Sequence, residues 1–178
     1  MAVGAGATAV KTAAQERSVE DAIDDNVIAA EINYLWASHD LALFRKLDTS
    51  VVEGKVVITG AVLYPQTRVE AIRLAWQADG VKQIVDEIQI EDRGDLIDQA
   101  RDEWISVRLK GSLLLDSEVS AINYNVTTVN GIVYLSGIAR SGQELDRVRN
   151  HARHVPRVRG IVTHVRVLEE GAAEAGAS

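Results

Sequence analysis

The side chains that could bind a metal are three histidines near the end of the chain. His151 and His154 are three residues apart in a helical pattern, and His164 lies in the strand-like run that follows. Zinc sites combine imidazole with thiolate or carboxylate ligands at short, recognisable spacings. No such ligand completes the set, so we interpret the three as surface histidines in an arginine-rich segment and predict no metal site.

No other pattern predicts catalysis. The Gly-x-Gly of "AVGAGATAV" follows no strand and opens no helix, as a nucleotide loop would. The serines of "LSGIARSG" lack the flanking residues of a nucleophile elbow. We interpret two acidic pairs, Asp24-Asp25 and Asp102-Glu103, as residues at helix starts, where the helix dipole favours negative charge. We therefore expect neither catalytic residues nor a cofactor, and the chain is not expected to be an enzyme.

The composition excludes several classes of protein. Of 178 residues, 47% are hydrophobic and 25% are charged, as in a soluble globular protein. No apolar run approaches the roughly 18 residues needed to cross a bilayer. The absence of cysteine excludes disulfides, thiolate zinc sites and cysteine nucleophiles. A net charge of −7 argues against general nucleic-acid binding.

The chain repeats itself at a fixed offset of 77 residues. The stretch "VEGKVVITGAV", which begins at Val52, returns as "VNGIVYLSGIA", which begins at Val129, and no gap is needed to align the two halves. Such self-similarity predicts duplicated structural units. We therefore predict a flexible leader (1–17), a first domain (18–92), a second domain (93–168) and a disordered tail (169–178).

Each half has the pattern helix, strand, strand, helix, strand. Apolar residues at helical spacing predict the helices of the first half, namely Ile28, Ile32, Leu35 and Trp36 in one and Val69, Ile72 and Ala75 in the other. Glycines between β-branched runs, at Gly54 and Gly131, predict tight hairpins. Gly60 and Gly137 fall near the end of the second strand, where the chain must leave the sheet.

The predicted fold class is α+β, in the broad sense α/β. Each αββαβ domain should form a three-stranded mixed sheet with two helices on one face. The other face is not fully polar, because it carries Val57 in the first copy and Ile132 and Tyr134 in the second. A domain of about 70 residues is only marginally stable alone. We therefore expect the two copies to pack together through these faces.

The repeated motif resembles the BON domain of bacterial envelope proteins. The resemblance rests on an Asp and an Ile that open a helix, on "V..GxVxLSG" and on "A....V..V..IV". It extends from about Ala22 to Leu168 and is most specific in "DEWISVRLKGSLLLDSEVSAINYNVTTVNGIVYLSGIA". Two copies after a small-residue leader are similar to the dual-BON outer-membrane lipoproteins.

The resemblance implies a non-enzymatic protein that binds anionic phospholipid, of the phosphatidylglycerol or cardiolipin type, and supports outer-membrane integrity. It implies a periplasmic location, an anchor through a lipidated cysteine that this sequence does not contain, and contact with envelope protein partners. In the dual-BON lipoproteins, lipid contact is associated with the first helix of the second copy. The corresponding stretch here is about Ala100 to Leu115.

That stretch carries two opposed apolar stripes when it is drawn as a helix. Ile105, Leu109 and Leu113 repeat the core stripe of the first copy. The second stripe and the cations beside it are the predicted lipid-binding residues: Trp104, Val107, Gly111 and Leu114, with Arg101, Arg108 and Lys110. The alternative is that Trp104 packs on the first domain, or that the stripe binds an envelope protein or a second copy of the chain.

An arginine-rich segment follows the second hairpin. Between Arg140 and Arg166 the chain has seven arginines against two acidic residues. A basic surface attracts anionic headgroups by about 1 kcal/mol per charge. The same residues could instead form a solvated helix face, and the sequence leaves both interpretations open.

Overall fold

Each half of the chain folds as a three-stranded sheet with helices on one face, as predicted. The computed structural model describes residues 19–91 and 96–168, so the predicted leader and tail lie outside the described residues and the domain boundaries stay a prediction. The first half contains α1 (Val19–His39), α2 (Leu41–Lys46), β1 (Leu47–Val52), β2 (Lys55–Val62), α3 (Pro65–Ala75) and β3 (Gln83–Ile90). The second contains α4 (Leu96–Leu114), a 3-10 turn (Ala121–Asn123), β4 (Tyr124–Val129), β5 (Ile132–Ala139), α5 (Gly142–His154) and β6 (Gly160–Val167).

The two sheets have the same topology. The strand orders are β1-β2-β3 and β4-β5-β6, with the first pair antiparallel and the second pair parallel. The hairpin turns occupy Glu53-Gly54 and Asn130-Gly131, and φ is positive at both residues of each turn, between 53° and 78°. This is the primed turn that matches the twist of paired strands, so the hairpin prediction is confirmed.

The helices bury the predicted stripes against their own sheet, with one exception. Ile32 and Trp36 are fully buried, and the Trp36 indole N–H donates to the carbonyl oxygen of Ala71 at 3.0 Å. The interpretation of α3 was wrong at Val69, which is 65% exposed. The helix places Ala71, Leu74 and Ala75 against α1 and the sheet instead, because that face of α3 is the one bonded to Trp36.

Gly60 and Gly137 lie near the end of the second strand of each sheet, as predicted, and two paired residues follow each of them. Both lie inside a strand, with φ near 130°, opposite Leu47 and Tyr124 respectively. A Cβ atom on Gly137 would lie 1.9 Å from the carbonyl oxygen of Asn123. These glycines are therefore required by the close approach of the neighbouring backbone.

An aspartate, buried in the first copy and half-buried in the second, ties each first helix to the hairpin of its own sheet. The carboxylate of Asp25 accepts hydrogen bonds from the backbone N–H of Glu53 at 2.8 Å and of Gly54 at 2.9 Å. Asp102 accepts from the N–H of Asn130 at 2.6 Å and of Gly131 at 2.8 Å.

The helix-dipole interpretation of these two aspartates is therefore replaced. Both lie at least one turn inside their helices, which begin at Val19 and Leu96. Charge-assisted bonds to a carboxylate are stronger than bonds between neutral groups. The two aspartates act as clamps between a helix and the turn that it covers.

The two sheets pack on each other through the faces that point away from the helices, as predicted. Val57 and Tyr134 alternate along their strands with core residues, yet they are only 4% and 5% exposed. Ile132 is half-buried. Polar pairs complete the contact, with Ser136 donating to Ser50 at 2.7 Å and Thr127 donating to Asp48 at 2.8 Å.

The contact between the sheets has approximate two-fold symmetry. Glu87 and His164, which are 77 positions apart and therefore equivalent in the repeat, pair with each other at 2.7 Å. The bond from Asn130 to Gln89 has its counterpart in the ion pair of Glu53 with Arg166. Reciprocal pairing of this kind is typical of an isologous interface. The duplicated domains thus associate as the subunits of a symmetric dimer would.

Replacing Asp102 with Asn tests the clamp. The amide keeps the side-chain shape, but it has one acceptor oxygen for two N–H groups and no charge. We expect the free energy of unfolding to fall by about 1.5–3 kcal/mol, measured by urea unfolding followed by circular dichroism.

The matched control is Asp98→Asn on the same helix. Its carboxylate is 48% exposed and pairs with Arg101, so the loss should stay within about 1 kcal/mol. Equal losses for the two variants would contradict the clamp.

Candidate functional site

Helix α4 is held against its sheet by one face. Ile105, Leu109 and Leu113, spaced four residues apart, are at most 1% exposed and belong to the core of the second half. Beside this stripe, the Ser106 hydroxyl donates to the Thr128 hydroxyl of β4 at 2.8 Å. The inward face of α4 is therefore the one predicted, and its side chains are buried in the core of their own domain.

The opposite face of α4 is apolar and exposed. We call Trp104, Val107, Gly111 and Leu114 the α4 ridge; the side chains of Trp104, Val107 and Leu114 are 43%, 58% and 75% exposed. Leu115, which was not among the predicted site residues, is 89% exposed and extends the ridge beyond the helix end. Its position on the helical wheel, next to Trp104, is the signal that could have identified it.

The hydrogen bonds between the two halves come from the backs of the sheets, and Trp104 keeps 43% of its surface exposed. The alternative that Trp104 packs on the first domain stays a prediction. An apolar surface in solution is unfavourable unless something covers it. The ridge thus has the character of a binding surface.

Two of the three predicted cations are available beside the ridge. The guanidinium carbon of Arg108 lies 5.4 Å from the centroid of the Trp104 ring, a cation–π contact. Arg108 and Lys110 are exposed, and within residues 25–91 and 98–168 neither has a carboxylate partner. Arg101 is half-buried and forms an ion pair with Asp98, which offsets part of its charge.

The end of the ridge is anchored by Asp116. Its carboxylate accepts a hydrogen bond from Nε2 of His151 at 2.7 Å and bonds from the Arg147 guanidinium at 3.2–3.3 Å. The bond from His151, followed by those from the Glu118 backbone and Arg147, lowers the pKa of Asp116 to about 2. The carboxylate is thus ionised at neutral pH, and it fixes the end of α4 to α5.

The interpretation of all three histidines as surface residues was wrong for His164. That side chain is 17% exposed and pairs with Glu87 between the two sheets, because β6 faces β3 across the contact. His154 is exposed, and its Nδ1 lies 2.8 Å from the carbonyl oxygen of Asn150. Within the described parts of the chain, no cluster of three or more histidine or acidic side chains could hold a metal ion.

The arginine-rich segment divides into paired and unpaired side chains. Four arginines have a carboxylate partner, namely Arg140, Arg147, Arg149 and Arg166. Arg153, Arg157 and Arg159 have none among the residues that the structure describes, and all three are exposed. Arg157 and Arg159 line one cleft at the start of α4, where the basic segment meets residues of both signs, namely Arg101, Glu91, Asp98 and Asp102. None of the described helices is long and apolar enough to pass through a bilayer.

The duplicated units match a known family of domains. A family model described as "BON domain" matches the chain twice, at residues 24–92 and at residues 101–169. Together the two matches cover well over half of the chain.

Three curated relatives align over most of the chain. A protein of Anaplasma centrale, described as "Uncharacterized protein in gshII 5'region", is 36% identical over 146 residues, which are 82% of this chain and 95% of the relative. "Outer membrane lipoprotein DolP" of Haemophilus influenzae is 24% identical over 79% of this chain and 74% of its own length. "Osmotically-inducible protein Y" of Escherichia coli is 26% identical over 78% and 70%, respectively.

Replacing Gly111 with Ala tests whether the outer face of α4 is unobstructed. A glycine inside a helix costs up to about 1 kcal/mol relative to alanine. Apart from its chain neighbours and the adjacent backbone of its own helix, a Cβ atom on Gly111 would have no atom of the described residues within 4 Å. We therefore expect Gly111→Ala to raise the free energy of unfolding by about 0.5–1 kcal/mol in urea unfolding. A destabilised variant would show that another part of the chain covers this position.

Proposed function

This chain belongs to the BON-domain family, and we propose that it binds anionic phospholipid at a membrane surface through the α4 ridge. The relative named as an outer membrane lipoprotein supports an envelope location, periplasmic and facing the outer membrane. A lipidated cysteine as anchor, a role in outer-membrane integrity and the absence of enzymatic activity are parts of the same proposal.

The observation that carries the proposal is the division of α4 into two apolar faces. One face is buried in its own domain, and the other, with Trp104 and Leu114, is exposed. It is flanked by two cations, Arg108 and Lys110, that have no carboxylate partner among the side chains that the structure describes. A helix with this pattern can lie in the plane of the membrane, with its apolar face at the boundary between headgroups and acyl chains. The Trp104 ring would then lie at headgroup level, where tryptophan is enriched.

Apolar and electrostatic contributions would act together. Full burial of a large apolar side chain contributes about 1.5–3 kcal/mol, and each cation near an anionic surface contributes about 1 kcal/mol. Arg108 can contribute to both the apolar and the electrostatic term, because its guanidinium lies over the Trp104 ring and is free to reach a lipid phosphate. Binding that combines such terms should be reversible and should weaken as salt is added.

The corresponding helix of the first copy lacks this combination. Val27 and Tyr34 are exposed there, but the tryptophan of that helix, Trp36, is fully buried. The positions equivalent to Arg101, Arg108 and Lys110 carry Asp24, Glu31 and Asn33. An anionic membrane would repel acidic residues at these places, so the second copy is the one suited to contact it.

Removing the Trp104 indole tests the proposal. We expect Trp104→Ala to reduce binding to phosphatidylglycerol-containing vesicles by about tenfold or more, since a loss of 1.4 kcal/mol is tenfold in affinity. Vesicle co-sedimentation at low and high salt is the measurement. Trp76→Ala is the matched control, because Trp76 is 51% exposed but lies on the first copy.

The same measurement distinguishes the lipid-binding proposal from the alternative function. Binding that is saturable, sensitive to salt and lost only in Trp104→Ala supports the lipid surface. No binding at any content of anionic lipid would contradict it and favour a protein-interaction module, in which the α4 ridge contacts an envelope protein or a second copy of the chain.

A gain of binding tests the electrostatic part independently. Glu103 is exposed and follows Asp102 on the side of the helix that also carries Lys110. Its negative charge opposes an anionic surface, so we expect Glu103→Gln to raise vesicle affinity about fivefold, as about 1 kcal/mol per charge implies. The increase should disappear on neutral phosphatidylcholine vesicles. An increase that persists there would contradict an electrostatic origin.

A further inference from the structure

We infer that the second domain has a separate binding site for a phosphate group, in an open cleft between α5 and β6. The cleft has a volume of about 580 Å³, within the range of small-molecule sites. Its lining includes Arg149, Arg153 and Arg159, together with Thr163. The site is distinct from the α4 ridge and does not depend on the proposed membrane function.

The charges that face the cleft have one sign. No acidic residue is among the residues that line it. Arg149 pairs with Asp146 at 3.3 Å, whereas Arg153 and Arg159 have no carboxylate partner in the described parts of the chain. A concave surface lined by cations concentrates the field and attracts anions. At least two guanidinium groups are therefore free to bind an anion.

The donors in the cleft match a phosphate in geometry. Guanidinium groups form paired, parallel hydrogen bonds to phosphate oxygens. The Thr163 hydroxyl lies 3.5 Å from Nε of Arg149, on the same wall, and can donate to another oxygen. These groups come from helix α5, from strand β6 and, for Arg159, from the short loop that joins them, so the fold brings them to one cleft.

The rest of the lining is apolar. Val158 and Ile161 are half-buried and pack against the core of the second half. An inorganic anion would leave these side chains uncovered, whereas a phosphate ester with a small carbon skeleton would cover them. The ligand class that fits is therefore a phosphate ester, either a free one or the headgroup of a lipid.

The first copy shows that the fold alone does not produce this cleft. The positions equivalent to Arg149 and Arg153 are Ile72 and Trp76, and the position of Thr163 is Asp86, which pairs with Arg68 at 2.6 Å. Only the position of Arg159 keeps a cation, as Lys82. The same backbone thus carries a cationic lining in the second copy alone.

Titration of the 178-residue chain with glycerol 3-phosphate tests the site. Backbone amide shifts would be followed by NMR, with sodium chloride at equal ionic strength as the reference. We expect saturable shifts at residues 158–163. They should weaken about tenfold or more in the double variant Arg153→Gln/Arg159→Gln, as the loss of two charge-assisted contacts implies.

Two control variants make the result specific. Lys82→Gln removes the same charge at the equivalent position of the first copy, and Trp104→Ala disables the α4 ridge. Both should bind glycerol 3-phosphate as the unaltered chain does, so this test can succeed even if the membrane proposal fails. Shifts no larger than those caused by sodium chloride, or shifts unchanged in the double variant, would overturn the inference.

Vesicles of phosphatidylcholine and phosphatidic acid distinguish the two sources of the phosphate. If the double arginine variant binds these vesicles more weakly than Lys82→Gln does, the ligand is a lipid headgroup. If only the binding of glycerol 3-phosphate is reduced, the site takes a free phosphate ester. Arg153 and Arg159 are exposed, so thermal unfolding should be unchanged in the double arginine variant.

Discussion

The carboxylate of Asp102 sets the rotation of helix α4 about its own axis, and the candidate site depends on that rotation. Its two bonds to the hairpin amides point this side of the helix inward, with Ile105 and its neighbours in the core stripe. Trp104 and Leu114 must then point outward. Asp25 makes the equivalent bonds in the first copy, so both copies fix the rotation of their first helix in this way. The exposed ridge is present only where the outward residues are apolar, as they are in α4.

Duplication explains which surfaces remain free for function. Because the two sheets cover each other's backs through reciprocal contacts such as Glu87 with His164, the helical faces are the ones left exposed. These faces have diverged between the copies. Where the second copy has Arg108 and Arg153, the first has Glu31 and Trp76, so one scaffold presents two surfaces of different chemistry.

Local sequence patterns were enough to predict much of the fold. They indicated the repeat, the hairpins, the core stripes and the packing of the sheets through their backs. The clamps were missed because they join residues 28 positions apart, although the repetition of that spacing in both copies was a usable signal. Helix α2 was missed because it has six residues, too few for periodicity, even though Asp40 caps it by accepting from the Ala42 N–H. Which face of α3 is buried, and therefore the exposure of Val69, depends on tertiary contacts that no local pattern contains. The same is true of the pairing of His164.

Quenching of tryptophan fluorescence by brominated phosphatidylglycerol vesicles tests most directly whether the ridge enters the membrane. Of the three tryptophans, Trp36 is buried, Trp76 is exposed on the first copy and Trp104 lies on the ridge. The account predicts that the vesicles quench the emission of Trp104, so that quenching persists in Trp76→Phe and is largely lost in Trp104→Phe. Quenching that is equal in the two variants, or absent from both, would contradict it.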